Sequence, residues 1–178
     1  MYAPESEKLI EQFFKRLYKV LFRICGLFRA TEAIGGKAVS EFRVLFVDDE
    51  ADFRETLIKR MQKRHVEASG VSSGEEALAW LAQHPADLVV LDVRMPGMDG
   101  IQTLRAIKRD HPLLEVILLT GHANLEIARE GMQLGAFDYL MKPIDLDELL
   151  YKLEDAYQKK SIQQHKIKNI EGVIESRK

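Results

Sequence analysis

Short apolar runs alternate with amphipathic stretches along residues 42–160, and this pattern predicts a mixed α/β fold. The runs that indicate strands lie at residues 42–47, 66–71, 88–91, 116–119 and 137–141. Helical spacing of apolar residues follows at residues 51–64, 73–84, 100–109 and 124–134 and again from residue 145 onward. Ser72 or Ser73, with Glu76, and Asp145 or Asp147 are suited to cap two of these helices. Five strands that alternate with five helices in about 120 residues indicate a doubly wound parallel sheet.

Residues 5–29 have the pattern of an additional amphipathic helix ahead of the sheet-forming region. Its apolar arc of about 140° is opposed by a largely basic face. The members of the arc are Leu9, Ile10, Phe13, Phe14, Leu17, Val20, Leu21, Ile24, Leu27 and Phe28. The arc can pack on the chain's own core, on a second copy or partner, or lie on a membrane surface; a wrongly assigned start would leave it disordered. Gly35 and Gly36 end the helix, which sets off residues 1–36 as an N-terminal segment with a glycine linker.

The last predicted helix runs on into an extension over residues 161–178. Its apolar residues keep the 3-4 spacing of a heptad repeat, which Lys160 and Gln163 interrupt. The apolar members are Leu146, Leu149, Leu153, Ala156, Ile167, Ile170 and Ile174. Gly172 favours a frayed, solvated helix end, whereas the spacing favours a two-stranded coiled coil or a docking strip for a partner helix. The sequence leaves these alternatives open.

Charge is unevenly distributed along the 178 residues, although the net charge is only −2. Residues 41–160 hold 15 lysines and arginines against 22 aspartates and glutamates, while both ends of the chain are basic. An acidic central region argues against direct DNA binding by the core. The single cysteine, Cys25, excludes an intramolecular disulfide and a Cys-rich zinc site and fits a reducing compartment. With no secretory signal and no apolar run of about 20 residues, we expect a cytoplasmic protein, peripheral at the membrane if residues 5–29 bind lipid.

Polar residues lie at the carboxyl ends of four of the predicted strands. Asp48, Asp49, Asp92, Thr120 and Lys142 all follow or end apolar runs. Each has an ordinary alternative role as a helix cap, turn former or surface charge. In a parallel sheet, however, the carboxyl ends of the strands share one edge, so these residues should converge. Crowded carboxylates raise one another's pKa unless a cation relieves them, and their hard oxygens suit Mg²⁺ better than zinc.

This set of side chains is suited to phosphoryl transfer. Asp92 can attack phosphorus and form an acyl phosphate. Thr120 offers a hydroxyl and Lys142 an ammonium, both of which can stabilise charge on a transferring phosphoryl group.

The motifs of residues 42–160 resemble the CheY-like receiver domain of two-component response regulators. The resemblance rests on Val47–Asp48–Asp49–Glu50, on the run from Leu91 to Gly100 (LDVRMPGMDG), on Leu119–Thr120–Gly121, and on Tyr139–Leu140–Met141–Lys142–Pro143. It implies a flavodoxin-like fold with strand order 2-1-3-4-5. It also implies that a sensor histidine kinase or phosphotransfer protein phosphorylates Asp92 and that the reaction requires Mg²⁺.

The resemblance further assigns roles to single residues. It implies that Asp49 binds the metal directly, that Asp48 acts largely through water, and that Asp92 and the Arg94 backbone carbonyl complete the protein ligands. Thr120 and Lys142 would contact the phosphoryl oxygens. The resemblance also implies that Tyr139 is a switch aromatic and that the peptide bond before Pro143 is cis. Arg94 and His122, two residues after Asp92 and Thr120, would tune the lifetime of the acyl phosphate.

We expect a phosphoacceptor switch without a separate output domain, because only 18 residues follow residue 160. Homodimers through the C-terminal helix or through the face of helix 4, strand 5 and helix 5 are open alternatives. The N-terminal helix would then carry the message to a partner or membrane, released from that face on phosphorylation. Two rival functions are a Mg²⁺-dependent phosphatase or phosphotransferase, which would typically have a second Asp where Arg94 stands, and a scaffold that is never phosphorylated.

Overall fold

The computed structural model describes residues 42–121 and 125–175. The predictions for the helix over residues 5–29 and for His122 fall outside this part of the chain. The strands are β1 (Arg43–Val47), β2 (Glu67–Val71), β3 (Leu88–Asp92), β4 (Glu115–Thr120) and β5 (Asp138–Met141). The helices are α1 (Ala51–Gln62), α2 (Gly74–Leu81), α3 (Gly100–Asp110), α4 (Leu125–Gln133) and α5 (Leu146–Glu175). All strand pairs are parallel and the order is β2-β1-β3-β4-β5, so the predicted fold class is confirmed.

The sheet is covered on both faces, and this explains why its central strands are continuously apolar. Leu88 and Val90 point into a cluster with residues of α1 and α5. Val89 and Leu91 belong to a second cluster, on the other face, with residues of α2 and α3. All four are fully buried, so β3 carries its final residue, Asp92, out of a rigid, completely covered strand.

Local hydrogen bonds cap the starts of two helices, α2 and α5. Ser73 is the N-cap of α2 and accepts from the Glu76 amide at 3.1 Å. Glu76 returns to the amide and hydroxyl of Ser72, one residue earlier than a regular capping box requires. Asp145 caps α5 by accepting from the amides of Asp147 and Glu148. The prediction for α1 was two residues too long, because the chain turns at His65, whose φ of 62° leaves the helical region.

Gly100 allows α3 to begin directly against the end of β3. A Cβ atom at this position would lie 2.2 Å from the Asp92 carbonyl oxygen and 2.7 Å from the Val93 Cα. These distances are far inside van der Waals contact, so any side chain would push the start of α3 away from the strand that carries Asp92.

Helix α5 has two parts with different surroundings. Leu149, Leu153 and Ala156 are fully buried in the core of the domain. The prediction that Lys160 interrupts a coiled-coil seam is wrong, because this lysine is itself buried: Nζ donates to Asp87 Oδ1 at 2.9 Å and to the Ala86 carbonyl at 3.2 Å. The helix then continues through Gly172 to Glu175, which confirms the extended C-terminal helix. Within the described ranges, no helix is both long and apolar enough to cross a membrane.

Candidate functional site

The ends of four strands bring the predicted site residues to one edge of the sheet. Asp92 is paired with Leu119 on β4, and the next residue, Thr120, is paired with Met141 on β5. The amide of Lys142 donates to the Thr120 carbonyl at 2.8 Å. On the other side, Asp48 directly follows β1, the strand that pairs with β3. The crossover connections of the sheet thus assemble residues that are far apart in sequence.

The ammonium of Lys142 lies at the centre of this edge. Its Nζ is 2.7 Å from Asp48 Oδ2, 3.1 Å from Asp92 Oδ1 and 3.1 Å from Glu50 Oε1. It also lies 4.5 Å from the centre of the Phe53 ring, a distance at which a cation is attracted to the π face. Burial alone would lower the pKa of Lys142. Hydrogen bonds to Asp48 and Glu50 and the charge of Asp92 outweigh it, so the pKa is raised and the group is a permanent cation.

Asp92 is almost completely buried, with 4% of its surface exposed. One carboxylate oxygen contacts Lys142, and the other accepts from the Arg94 amide at 3.1 Å. Burial raises the pKa of Asp92, and the charge of Asp48 acts in the same direction, against the opposing effects of Lys142 and the Arg94 amide. A buried, poorly solvated carboxylate held by two fixed donors responds strongly to a change of charge nearby.

Asp48 is buried beside it and is tied down through the loop that follows β1. Its Oδ1 accepts from the Glu50 amide at 2.9 Å, and its backbone carbonyl accepts from the Arg54 guanidinium. Oδ2 contacts the Lys142 ammonium at 2.7 Å, and no second donor among the described residues reaches it. A buried carboxylate oxygen in this state retains capacity for a further cationic partner.

The donor chemistry of the site fits a hard divalent cation. Asp48 and Asp92 are buried carboxylates, and Asp49 is exposed beside them. The described residues contain no group of three His, Cys, Asp or Glu side chains arranged to hold a metal ion. The cation that relieves the carboxylates in this arrangement is Lys142, so a metal ion would have to share Asp48 and Asp92 with it. These oxygen ligands, with Asp48 Oδ2 still open to a second partner, fit Mg²⁺ in type.

The remaining predicted residues differ in exposure. Thr120 is buried, with 7% of its surface exposed, whereas Tyr139 on β5 is 40% exposed and Arg94 is exposed just after β3. The Lys142–Pro143 peptide is cis. The proposed roles of Thr120 and Tyr139 as a switch, and of Arg94 in setting a lifetime, stay predictions.

Sequence reasoning missed two partners of Lys142, namely Glu50 and Phe53. Glu50 is the N-cap residue of α1, and its side chain makes no capping bond. A carboxylate directly after two aspartates at a strand end was a usable signal, since it had to lie near the same edge. Phe53 carried no comparable signal, because its helical spacing is also that of an ordinary core residue.

Comparisons with known proteins agree with this geometry. The family model for the response regulator receiver domain matches residues 44–154. The DNA-binding transcriptional regulator NtrC of Salmonella typhimurium is 42% identical over 113 residues, which are 64% of this chain and 24% of NtrC. The regulatory protein AtoC of Escherichia coli is 39% identical over 120 residues, 67% of this chain and 26% of AtoC. The chain therefore spans about a quarter of the length of these curated relatives.

Solved structures show the same likeness. NtrX from Brucella abortus, in complex with ADP, superposes with a TM-score of 0.66 at 31% identity, covering 70% of this chain and 29% of that one. The receiver domain of the Francisella response regulator 1452 superposes with a TM-score of 0.63 at 28% identity, covering 66% of this chain and 98% of that domain.

Proposed function

The chain belongs to the response regulator receiver domain family, and we propose that it accepts a phosphoryl group on Asp92 from a sensor histidine kinase or phosphotransfer protein. The observation that supports this most directly is the contact of 3.1 Å between Asp92 Oδ1 and Lys142 Nζ at the carboxyl edge of the sheet. Open α/β sheets bind ligands at this edge. The reaction takes place in the cytoplasm, where histidine kinases present their phosphorylated domains.

The proposed step is an in-line displacement at phosphorus. A carboxylate oxygen of Asp92 forms the new O–P bond while the bond between phosphorus and the donor's histidine nitrogen breaks, and the nitrogen keeps that electron pair. The Lys142 ammonium, which contacts the carboxylates at rest, then also contacts the phosphoryl oxygens. The Thr120 hydroxyl donates a hydrogen bond to the same oxygens. Lys142 already contacts Asp92 before the reaction, so little reorganisation of this group is needed.

A divalent cation would be held by Asp48, Asp49, Asp92 and the Arg94 backbone carbonyl. When bound, Mg²⁺ supplies positive charge that stabilises the negative charge developing on the phosphoryl oxygens. Labelling by acetyl phosphate should therefore be lost in excess chelator and return when Mg²⁺ is added in excess over it. Labelling that persists unchanged in chelator would contradict this part of the proposal.

The switch that follows involves Thr120 and Tyr139. We propose that Thr120 moves toward the phosphoryl group and that Tyr139 turns inward, which reshapes the face made by α4, β5 and the first part of α5. The 40% exposure of Tyr139 supports an outward resting position. This face, or the terminal helices, would pass the signal to a partner that the chemistry of the site does not identify.

A labelling experiment separates this function from a phosphatase or phosphotransferase and from an unphosphorylated scaffold. The protein is incubated with radiolabelled acetyl phosphate and Mg²⁺, and both bound label and released phosphate are followed. A switch retains up to one label per chain, an enzyme turns over many equivalents, and a scaffold takes up none. Turnover or absence of label would overturn the proposal.

The site of labelling is tested with Asp92→Asn. This variant keeps the size of the side chain but removes the nucleophilic oxygen, so labelling should disappear. Asp155→Asn makes the same chemical change on the exposed side of α5 and should label like the parent. Full labelling of Asp92→Asn would show that another group accepts the phosphoryl.

A further inference from the structure

Two loops at the amino edge of the sheet each carry a histidine followed by a proline. His84–Pro85 lies between α2 and β3, and His111–Pro112 lies between α3 and β4. Each histidine precedes by four residues its member of a register pair, which is Leu88 on β3 and Glu115 on β4. The two histidines therefore occupy equivalent positions on loops that lead into neighbouring strands, and such strands run about 4.8 Å apart.

Both loops come from helices on the same face of the sheet. Leu81 of α2 and Ile107 of α3 belong to one apolar cluster, so the two loops approach the amino edge side by side. His84 and His111 line one pocket there, with a cavity of about 540 Å³, and Gln164 of α5 lines it as well. The fold thus brings two imidazoles and an amide from three separate segments to one cavity, at the edge opposite to the proposed phosphoacceptor.

The imidazole of His84 is held in one orientation. Its ring stacks on the indole of Trp80, with the ring centroids 4.8 Å apart and the planes inclined by 22°. Its Nδ1 lies 3.2 Å from the Trp80 carbonyl oxygen. Because a carbonyl only accepts, Nδ1 carries the hydrogen and Nε2 carries the lone pair of the neutral ring. A backbone carbonyl bound to one ring nitrogen in this way fixes the tautomer of a metal-binding histidine and orients its other nitrogen.

The electrostatic setting of the pocket suits a cation. Helices α2 and α3 both end at it, since their C-cap residues, Ala82 and His111, line the cavity. The C-terminus of a helix carries partial negative charge. Lys160 also lines the cavity, but its ammonium is paired with Asp87 Oδ1 at 2.9 Å and donates to the Ala86 carbonyl. The charge of this lysine is therefore balanced within the protein.

We propose that His84 and His111 together bind one divalent transition-metal ion of the class that prefers imidazole ligands, such as Zn²⁺ or Ni²⁺. Imidazole nitrogens suit these ions, whereas Mg²⁺ selects oxygen ligands. The Gln164 amide oxygen and water fill the remaining positions. The ion joins the loops before β3 and β4 to α5, one turn after Lys160. This site goes beyond the proposed function, because it lies away from the carboxyl edge and requires no phosphoryl group.

Trp80 is the single tryptophan of the chain, so its fluorescence reports on the pocket. Ni²⁺, an open-shell ion, is titrated into the full chain in a large excess of Mg²⁺, which competes for oxygen-ligand sites. Bound to a ring that stacks on the indole, Ni²⁺ should quench the emission to a plateau at one ion per chain. Zn²⁺, whose d shell is full, should displace it and restore the emission. Quenching without a plateau, or no quenching, overturns the proposal.

Single substitutions test whether both histidines hold the ion. His84→Gln and His111→Gln each remove an imidazole that is not buried, and each should raise the dissociation constant of Zn²⁺ at least tenfold. His165→Gln removes an exposed histidine that does not line the pocket and should leave the constant within a factor of about two. The constants are measured by calorimetry in excess Mg²⁺. All chains carry Cys25→Ser, since a thiol also binds zinc. Parental binding by either pocket variant would overturn the shared site.

Thermal unfolding provides a second readout. Without Zn²⁺, the three variants should melt like the parent; if His84→Gln melts earlier, His84→Phe replaces it, because phenylalanine keeps the stack on Trp80. Saturating Zn²⁺ should raise the melting temperature of the parent and of His165→Gln but not of the pocket variants, since an ion that binds the folded chain stabilises it. An equal rise in all chains would place the zinc site elsewhere and overturn the proposal. Neither experiment uses a phosphodonor, so its failure is distinct from failure of the proposed function.

Discussion

Lys142 balances three carboxylates, and at the scale of single residues this balance decides how the site can respond. Asp48 and Asp92 are buried, but the Glu50 side chain is 67% exposed at 3.1 Å from Nζ. Glu50 therefore holds the ammonium at the rim of the site without belonging to the buried pair. A phosphoryl group that engages Lys142 has to compete with this exposed contact.

Replacing Glu50 by Gln should speed labelling by acetyl phosphate about two- to fivefold, the range that an exposed ion pair can contribute. The change removes a charge that repels an anionic donor and frees Lys142. Glu55→Gln, which removes an exposed carboxylate paired with Lys59 on the same helix, is the control and should label at the parental rate. A rate for Glu50→Gln equal to or below the parent would contradict the competition. Initial rates at limiting donor concentration are the measurement.

Arg94 should shield the acyl phosphate from water. Its amide is anchored to Asp92, so its exposed, cationic side chain begins next to the phosphoryl position and can pair with the phosphoryl oxygens. Arg94→Asn removes the shield and places an amide that can orient water, so loss of label should be several times faster. Arg109→Asn, an exposed arginine at the end of α3, is the matched control. Decay of label after removal of the donor measures the effect, and unchanged decay in Arg94→Asn would refute the role.

At the scale of secondary-structure elements, α5 is held by buried charges as well as by apolar packing. Asp87 receives the Lys160 ammonium on one oxygen and the amide and guanidinium of Arg43 on the other. Burial alone would raise the pKa of Asp87, but the bonds from Lys160 and Arg43 outweigh it and hold the pKa below its usual value. The cluster thus joins the start of β1, the loop before β3 and the end of the packed part of α5.

Replacing Lys160 by Met keeps the aliphatic stem but removes the charge, and it should lower the free energy of unfolding by about 1.5–3 kcal/mol. Asp87 has a depressed pKa in the folded state, so the stability it confers is present above its unfolded pKa of about 3.9 and is lost as pH falls through the lower folded value. The difference between variant and parent should therefore be full at neutral pH and shrink in acid. Lys166→Met, on the exposed extension, should change stability by less than about 0.5 kcal/mol. Urea unfolding at several pH values is the measurement; a difference that grows in acid would contradict this account.

At the scale of the whole molecule, the apolar core stabilises the fold, whereas the buried carboxylates of the site oppose it. The core clusters on both faces of the sheet stabilise the fold, while the carboxyl edge keeps Asp48 and Asp92 buried next to each other. The raised pKa of Asp92 means that its ionised form is disfavoured by folding. The molecule gives up some stability to keep a charged carboxylate there.

Asp92→Asn should consequently raise the free energy of unfolding at neutral pH by about 1 kcal/mol, since Lys142 keeps Asp48 and Glu50 as partners. For a carboxyl whose folded pKa is raised, protonation favours the fold. The parent should gain on the variant as pH falls through the folded pKa toward the unfolded value of about 3.9. Unfolding curves between neutral pH and about pH 4.5 should show this convergence. A variant less stable than the parent at neutral pH would mean that ionised Asp92 supports the fold.

The sequence by itself determined the order of strands and helices and the residues at the carboxyl edge of the sheet. Periodicity and apolar runs are local signals, and parallel connectivity brings strand ends together whatever the details of packing. For this reason the sequence alone predicts that Asp48, Asp92, Thr120 and Lys142 share one edge of the sheet.

Only the tertiary structure decided which charges pair. Lys142 and Glu50 are 92 residues apart and Lys160 and Asp87 are 73 apart, and such contacts depend on the angles at which helices pack on the sheet. From the sequence spacing, Lys160 is an interruption of a heptad seam. In the structure it forms an ion pair with Asp87 at the end of the buried part of α5. Ile167, Ile170 and Ile174 lie beyond it on the same helix and are exposed. A heptad pattern predicts which residues share a helix face, but it does not predict whether that face packs on the domain or is exposed.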